Sequence, residues 1–284
     1  MTAKPMHAFG MLALLLLAPL PLASQPPAAP GPALVNRALA AELHNVRDSQ
    51  FPMRFVLRKS SPRFTSTKVI VESKDGSVAR LVAVNGQPLS ATDQQHEQAR
   101  LDALLQNPDS QRHRKEREDA DAQRAIKVLR ALPAAFHFEF AGREDGPEGT
   151  LDRFNFTPDP AYNPPDLETL VLTAMSGQIW IDPVQGRVVR LRGQLQRDVN
   201  IGWGILGKLD KGGWILIEQA DVGEHQWRVV RFQMQMTGRI FFRSKSFDTL
   251  EEETHFAPVP VGLSYQQAIR MLRSDPLPQP LPGR

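Results

Sequence analysis

Three stretches of this sequence place residue types at spacings that could do chemistry. In GWGILGK (residues 202–208), Gly202, Gly204 and Gly207 fit the dinucleotide-binding spacing, and the run to Lys208 fits most of a phosphate-binding loop. Both devices need a glycine turn that opens a helix, because the free N–H groups of the first helical turn hold the phosphate. Here KLDKGGWILIEQ follows, a second turn and then a strand, and Leu209 stands where a magnesium-binding hydroxyl is required. The stretch therefore reads as a tight connection between strands. HEQAR (96–100) begins like a helical zinc-protease motif, but the second ligand, one turn on, is Arg100. QRHRKERED (111–119) is basic, yet Glu116, Glu118 and Asp119 interleave with its cations, which predicts a solvated helical face carrying its own ion pairs.

What is missing narrows the field further. The chain has 284 residues and no cysteine, so disulfides, thiolate chemistry, cysteine-bound metal and an anchor on an N-terminal cysteine are all excluded. Its seven histidines are scattered without ligand spacing, and no serine stands in a strand–glycine–helix setting. Any two of its 31 carboxylates could meet in space, but the sequence selects no pair. A formal net charge of +3 without a localised basic patch argues against nucleic acid. The expectation is no catalytic residue, no metal and no cofactor.

The elements around these stretches are legible from periodicity. Residues 1–24 read as a secretory signal: Lys4 gives the positive start and FGMLALLLLAPLPLAS the apolar run, broken by Pro19 and Pro21. An uncleaved anchor is the alternative, and either predicts export. A proline-rich linker follows at 25–32, a single domain at 33–272 and a proline-rich tail at 273–284. Within the domain, Val35, Leu39, Leu43 and Val46 form one helical stripe. Strands follow, with a hairpin turn at Lys74-Asp75-Gly76. Residues 91–132 change period to a charged helical hairpin, capped by Ser90 or Thr92 and broken at Asn107-Pro108. From residue 135 strands run almost to the end, closed by a short helix, SYQQAIRMLR.

The strands alternate. In SGQIWIDPVQGRVVRLRGQL (176–195), Asp182, Pro183 and Gly186 make the turn; Ile179 and Ile181 lie on one arm and Val189 and Leu191 on the other, with Arg190 and Arg192 opposite. In QWRVVRFQMQMTGRIFF, Val230, Phe232, Met234 and Met236 share a face. Such a face is either core packed under a helix or a soft lining for a flexible apolar ligand, to which Met side chains adapt. The predicted fold class is α+β: a strongly curved antiparallel β-sheet with the N-terminal helix and the inserted hairpin packed on one side.

The order of an exported N-terminal helix, β-hairpins with a WIDP…G…V.R ribbon (Trp180 to Arg190) and long late strands resembles the periplasmic lipoprotein carriers, the LolA/LolB-like family. RLVAVNGQPLS (Arg80 to Ser90), FNFTPDP (Phe154 to Pro160) and the GWG…L.KG turn (Gly202 to Gly212) bring it nearer to uncharacterised exported bacterial proteins of that type. The resemblance implies an open half-barrel that binds a lipid or acylated protein, works at a membrane surface, takes part in lipoprotein sorting and has no catalytic motif. The apolar groove would then be lined by Ile179, Ile181, Val189, Leu191, Val230, Phe232, Met234 and Met236. Two alternatives stay open: a structural or interaction module of the envelope whose sheet is filled by its own helices, and an envelope enzyme working with carboxylates.

Overall fold

The computed structural model describes residues 30–47, 51–146, 149–201, 207–240 and 243–274. The expected signal, positions 25–29 of the linker and 275–284 of the tail lie outside these residues, as do positions 202–206 of the glycine-rich stretch. In chain order the elements are α1 (Pro32–Arg47), β1 (Met53–Ser61), β2 (Phe64–Val71), β3 (Val78–Val84), β4 (Gln87–Pro88), α2 (Ala91–Gln106) and α3 (Pro108–Ala135). There follow β5 (Phe136–Gly146), β6 (Gly149–Pro158), α4 (Leu167–Leu170), a 3-10 turn (Val171–Ala174), β7 (Met175–Asp182) and β8 (Arg187–Leu195). The chain continues with β9 (Val199–Ile201), β10 (Gly207–Leu209), β11 (Trp214–Asp221), β12 (Trp227–Ile240), β13 (Arg243–Pro258) and α5 (Tyr265–Ser274).

All the strands form one antiparallel sheet in the order β4-β3-β2-β1-β13-β12-β11-β8-β7-β6-β5, with β9 and β10 beside the far end of β12. It is antiparallel, as the alternation predicted, and open instead of closed into a barrel, as the resemblance implied. Two meanders, β1–β4 and β5–β13, are joined where the first strand pairs with the last. The free ends are β4 and β5, and these are the strands that the α2–α3 hairpin connects. The insert is thus a strap from one edge of the sheet to the other.

Local chemistry sets the strap's corners. Ser90 Oγ accepts the Asp93 N–H and caps α2; Asn107 Oδ1 accepts the Ser110 N–H and caps α3, with Pro108 in the first helical position where no N–H is needed. Gly76 completes the β2–β3 turn at φ +94°, and a Cβ there would crowd Gln111 and Lys115 of α3 at 3.1–3.2 Å. Gln111 Nε2 donates to the carbonyls of Asp75 and Gly76, and Glu118 accepts the Ser77 N–H. The middle of the predicted charged face is solvated as expected, with Arg112 between Asp109 and Glu116 and Lys115 on Asp119.

Directly paired residues share a face. Phe154, Ile179, Leu191, Ile217, Phe232, Glu251 and Lys59 form one such row across seven strands. This inner face carries the largest core: Leu34, Val35, Ala38 and Leu39 of α1 and Leu132 of α3 pack on Phe154, Ile179, Ile181 and Leu195. At its other end Met53, Phe55, Ile70 and Ala79 form a smaller core. On the opposite, outer face, Val56, Val69, Val71 and Val78 pack under Leu101 of α2 and Ile269 and Leu272 of α5. The two helices of the insert therefore serve opposite faces: α2 backs the first meander, and α3 turns inward to meet α1.

Candidate functional site

The eight residues of the expected groove do not behave alike. Ile179 and Ile181 are 1% and 0% exposed beneath α1, and Met236 is buried with them. Leu191, Phe232 and Met234 are half-buried on the inner face. Val189 and Val230 sit at β-bulges, each the extra residue opposite a continuous partner strand. A bulge shifts the alternation by one position, so Val188, not Val189, joins the core beside Ile181, and Val229, not Val230, lines a cleft described below. From the edge of the larger inner-face core, against which Ile215 and Met234 pack, toward the smaller one, Ile215, Ile217, Phe232 and Met234 form a strip on β11 and β12, continued by Phe247 of β13 at 40% exposure. From Gln219 to Gly213 the strip runs for roughly 20 Å at the usual rise per strand residue.

The outer face of the same strands is ionic. Arg153, Trp180, Arg190, Glu218, Arg231, Glu252 and Arg58 lie in one row, with Arg190 Nε donating to Glu218 at 3.0 Å and Arg58 to Glu252 at 2.8 Å. Trp180 Nε1 donates to Glu144, and the Arg190 guanidinium stacks on its ring at 5.3 Å. An apolar ligand gains nothing on such a row, which singles out the inner face.

At the β1 end, the inner-face strip opens into a cleft of about 710 Å³ between α1, α3 and the sheet. Its apolar surface comes from Val46, Phe51, Phe55, Ala122, Trp227 and Val229, and its ionisable groups are Glu42, Glu72, Glu118, Asp119 and Glu253 beside Arg228, His44 and His225. Arg228 grips Glu72 through two contacts of 3.2 Å and donates to the Phe51 carbonyl, while Glu72 also accepts the Met53 N–H at 2.8 Å. Glu253 is left as the excess anion. Burial first, then the nearby Glu72 carboxylate, push its pKa up to about 7, against the pull of Arg228 and with a further push from Glu251. Deeper in, Glu42 pairs with Arg187 at 3.1 and 3.2 Å and accepts the Val188 N–H, and Arg187 lies over the Trp227 ring. Burial raises the Glu42 pKa, opposed chiefly by the Arg187 charge.

These carboxylates come from residues 42, 72, 118, 119 and 253, and no local motif joins them. One signal was present: Glu42 continues the helical stripe of Val35, Ala38 and Leu39, and a carboxylate on an apolar face needs a buried partner. Both Glu72 oxygens are engaged, by Arg228 and by the Met53 N–H. Among the described residues no group of three or more metal-binding side chains converges. The zinc-like HEQAR is a clasp instead: Glu97 accepts the Leu81 N–H at 2.7 Å and Arg100 donates to Glu97 and to the Ala79 carbonyl, fastening α2 to β3. Lys208 is held in β10 between Asp198 and Asp210 at 2.9 and 3.1 Å.

No protein-family model matches the chain, and no curated protein matches it. Among solved structures, a DUF1329 family protein from Desulfovibrio piger aligns over 83% of this chain and 96% of its own, at 12% identity and a TM-score of 0.29. An outer-membrane lipoprotein-sorting protein domain from Vibrio parahaemolyticus aligns over 84% and 97%, at 10% identity and 0.29. MucB, in its complex with MucA, aligns over 79% and 94%, at 10% identity and 0.23. At these scores the likenesses carry no argument about function.

Proposed function

We propose that the chain is an exported, non-enzymatic envelope protein that binds the acyl part of a lipid or lipidated protein along its inner face, in the manner of a lipoprotein-sorting carrier. The observation that carries this reading is the strip of Ile215, Ile217, Phe232 and Met234, which stays half-exposed among the described residues, Ile215 and Met234 at the margin of the α1-covered core and Ile217 and Phe232 outside it, whereas Ile179 and Ile181 are fully buried. Each acyl methylene withdrawn from water there contributes about 0.8 kcal/mol, so a chain is held without any specific polar residue. Export is supported by the signal-like first 24 residues; among the described residues no helix is long and apolar enough to cross a membrane.

The test is Met234→Asp, which places a carboxylate where an acyl chain would lie. Titration with a fluorescent fatty acid should show binding to the wild type and a large loss in the variant, with folding retained because Met234 is half-buried. Absent binding in the wild type, together with a collapsed melting temperature in the variant, overturns the reading and leaves a sheet filled by its own helices.

A further inference from the structure

The inner face has two chemically different ends that are one continuous surface. Gln219, which lines the cleft, is two residues from Ile217 on the same face of β11. Glu253, which also lines it, is two residues from Glu251, the partner of Phe232. A ligand lying on the strip therefore meets the cleft at its β1 end. There Glu42, Glu72 and Asp119 are paired with Arg187, Arg228 and Lys115, which leaves Glu118 and Glu253 as the lining carboxylates without an ion pair among the described residues, with His44 and His225 also on the wall. The carboxylates arrive from α1, α3, β13 and the end of β2, so they surround the space instead of lying along one wall. Phe51, Phe55 and Trp227 bring aromatic side chains to the same space, a setting that favours a cation over any other small polar group.

We propose that the cleft is the receptor for a positively charged group, and that the ligand is an amphiphile whose alkylammonium or guanidinium end sits between Glu253 and Glu118 while its chain runs along Ile217, Phe232 and Met234. This rests on the acyl-binding reading for the chain and goes beyond it for the polar end. An anionic headgroup is disfavoured by Glu118 and Glu253: it would bring a like charge beside them into a partly buried space whose arginine is already paired with Glu72. A cation supplies what Glu253 lacks, a charge partner of its own, and its hydrogen bonds to carboxylates are of the charge-assisted kind.

The experiment compares decylamine with decanoate, matched in chain and opposite in charge, by calorimetric titration of the full chain at about pH 8.5, above the Glu253 value of about 7. The amine should bind on the order of tenfold more tightly. In the double variant Glu118→Gln, Glu253→Gln the two ligands should become equal, with decanoate binding retained. Equal affinities in the wild type, or a preference that survives in the double variant, overturn the cation site while leaving the acyl strip in place. If neither amphiphile binds, the acyl reading fails, and spermidine then decides the cleft: binding that the double variant abolishes upholds the cation site, and no binding ends it.

Discussion

Glu253→Gln should make this protein more stable, and only above a definite pH. Glu253 has its ordinary value of 4.5 in the unfolded chain and about 7 in the fold, where burial and the Glu72 charge disfavour the ionised form. A raised carboxylate pKa means that the folded state holds the proton over a window where the unfolded state has released it, so stability falls as pH rises from about 4.5 to 7 and stays lower above. Each pH unit of that window corresponds to about 1.4 kcal/mol, which caps the cost of the ionised group at about 3 kcal/mol. Glutamine keeps the shape and removes the charge. For a domain of this size the gain corresponds to a rise in melting temperature of up to about 10 °C at alkaline pH. The assay is thermal unfolding followed by circular dichroism at about pH 4, 6 and 8.5. Near the acid end the variant and wild type should coincide, because both are neutral. A difference that is the same at all three values, or a variant less stable at the alkaline end, would refute the reasoning.

Two further outcomes follow from buried contacts. Arg187→Met strands the Glu42 carboxylate, 8% exposed, without its guanidinium and should cost about 3–5 kcal/mol in urea unfolding; the double variant with Glu42→Met should recover most of the loss, and failure to recover would show that the loss does not come from the stranded carboxylate. Gly177→Ala drives a Cβ into the Arg192 carbonyl oxygen, a backbone atom that cannot yield. That variant should lose several kcal/mol or fail to fold, on the order of other severe core changes, whereas Gly186→Ala, with open space around it but φ +65°, should cost only about 1 kcal/mol, read by the same unfolding curves.

The elements were readable wherever a period ran long enough. The stripe of Val35 and Leu39, the break at Asn107-Pro108 and the ribbon around Asp182 and Gly186 all predict what the chain does, because each is decided within a few residues. The bulges at Val189 and Val230 were not readable: an extra residue leaves the composition of a strand unchanged and is revealed only by its partner's register. The sidedness of α2 was hidden for a similar reason, since Leu101 fits an inner or an outer face equally until Val71 and Val78 are seen to present their side chains to it. The cleft was the least legible part. Its charges are spread over the chain from Glu42 to Glu253, and a carboxylate's burial, which sets its chemistry, is a property of everything that folds over it.

The pairing of β1 with β13 also bears on how the molecule is made. Met53 finds its partner at Pro258, so the first meander leaves the ribosome with one edge bare and waits for nearly the whole chain before that edge is covered. The α5 helix that shields Val56, Val69 and Val71 comes later still. Closing so long a loop is entropically slow, and topologies dominated by distant contacts fold slowly for that reason. In the interval β1 offers unpaired backbone and an apolar face to any passing strand, the usual starting point for aggregation. The yield of folded protein should therefore depend less on the stability of the finished sheet than on how well the first meander is kept apart from its neighbours until the last strand arrives.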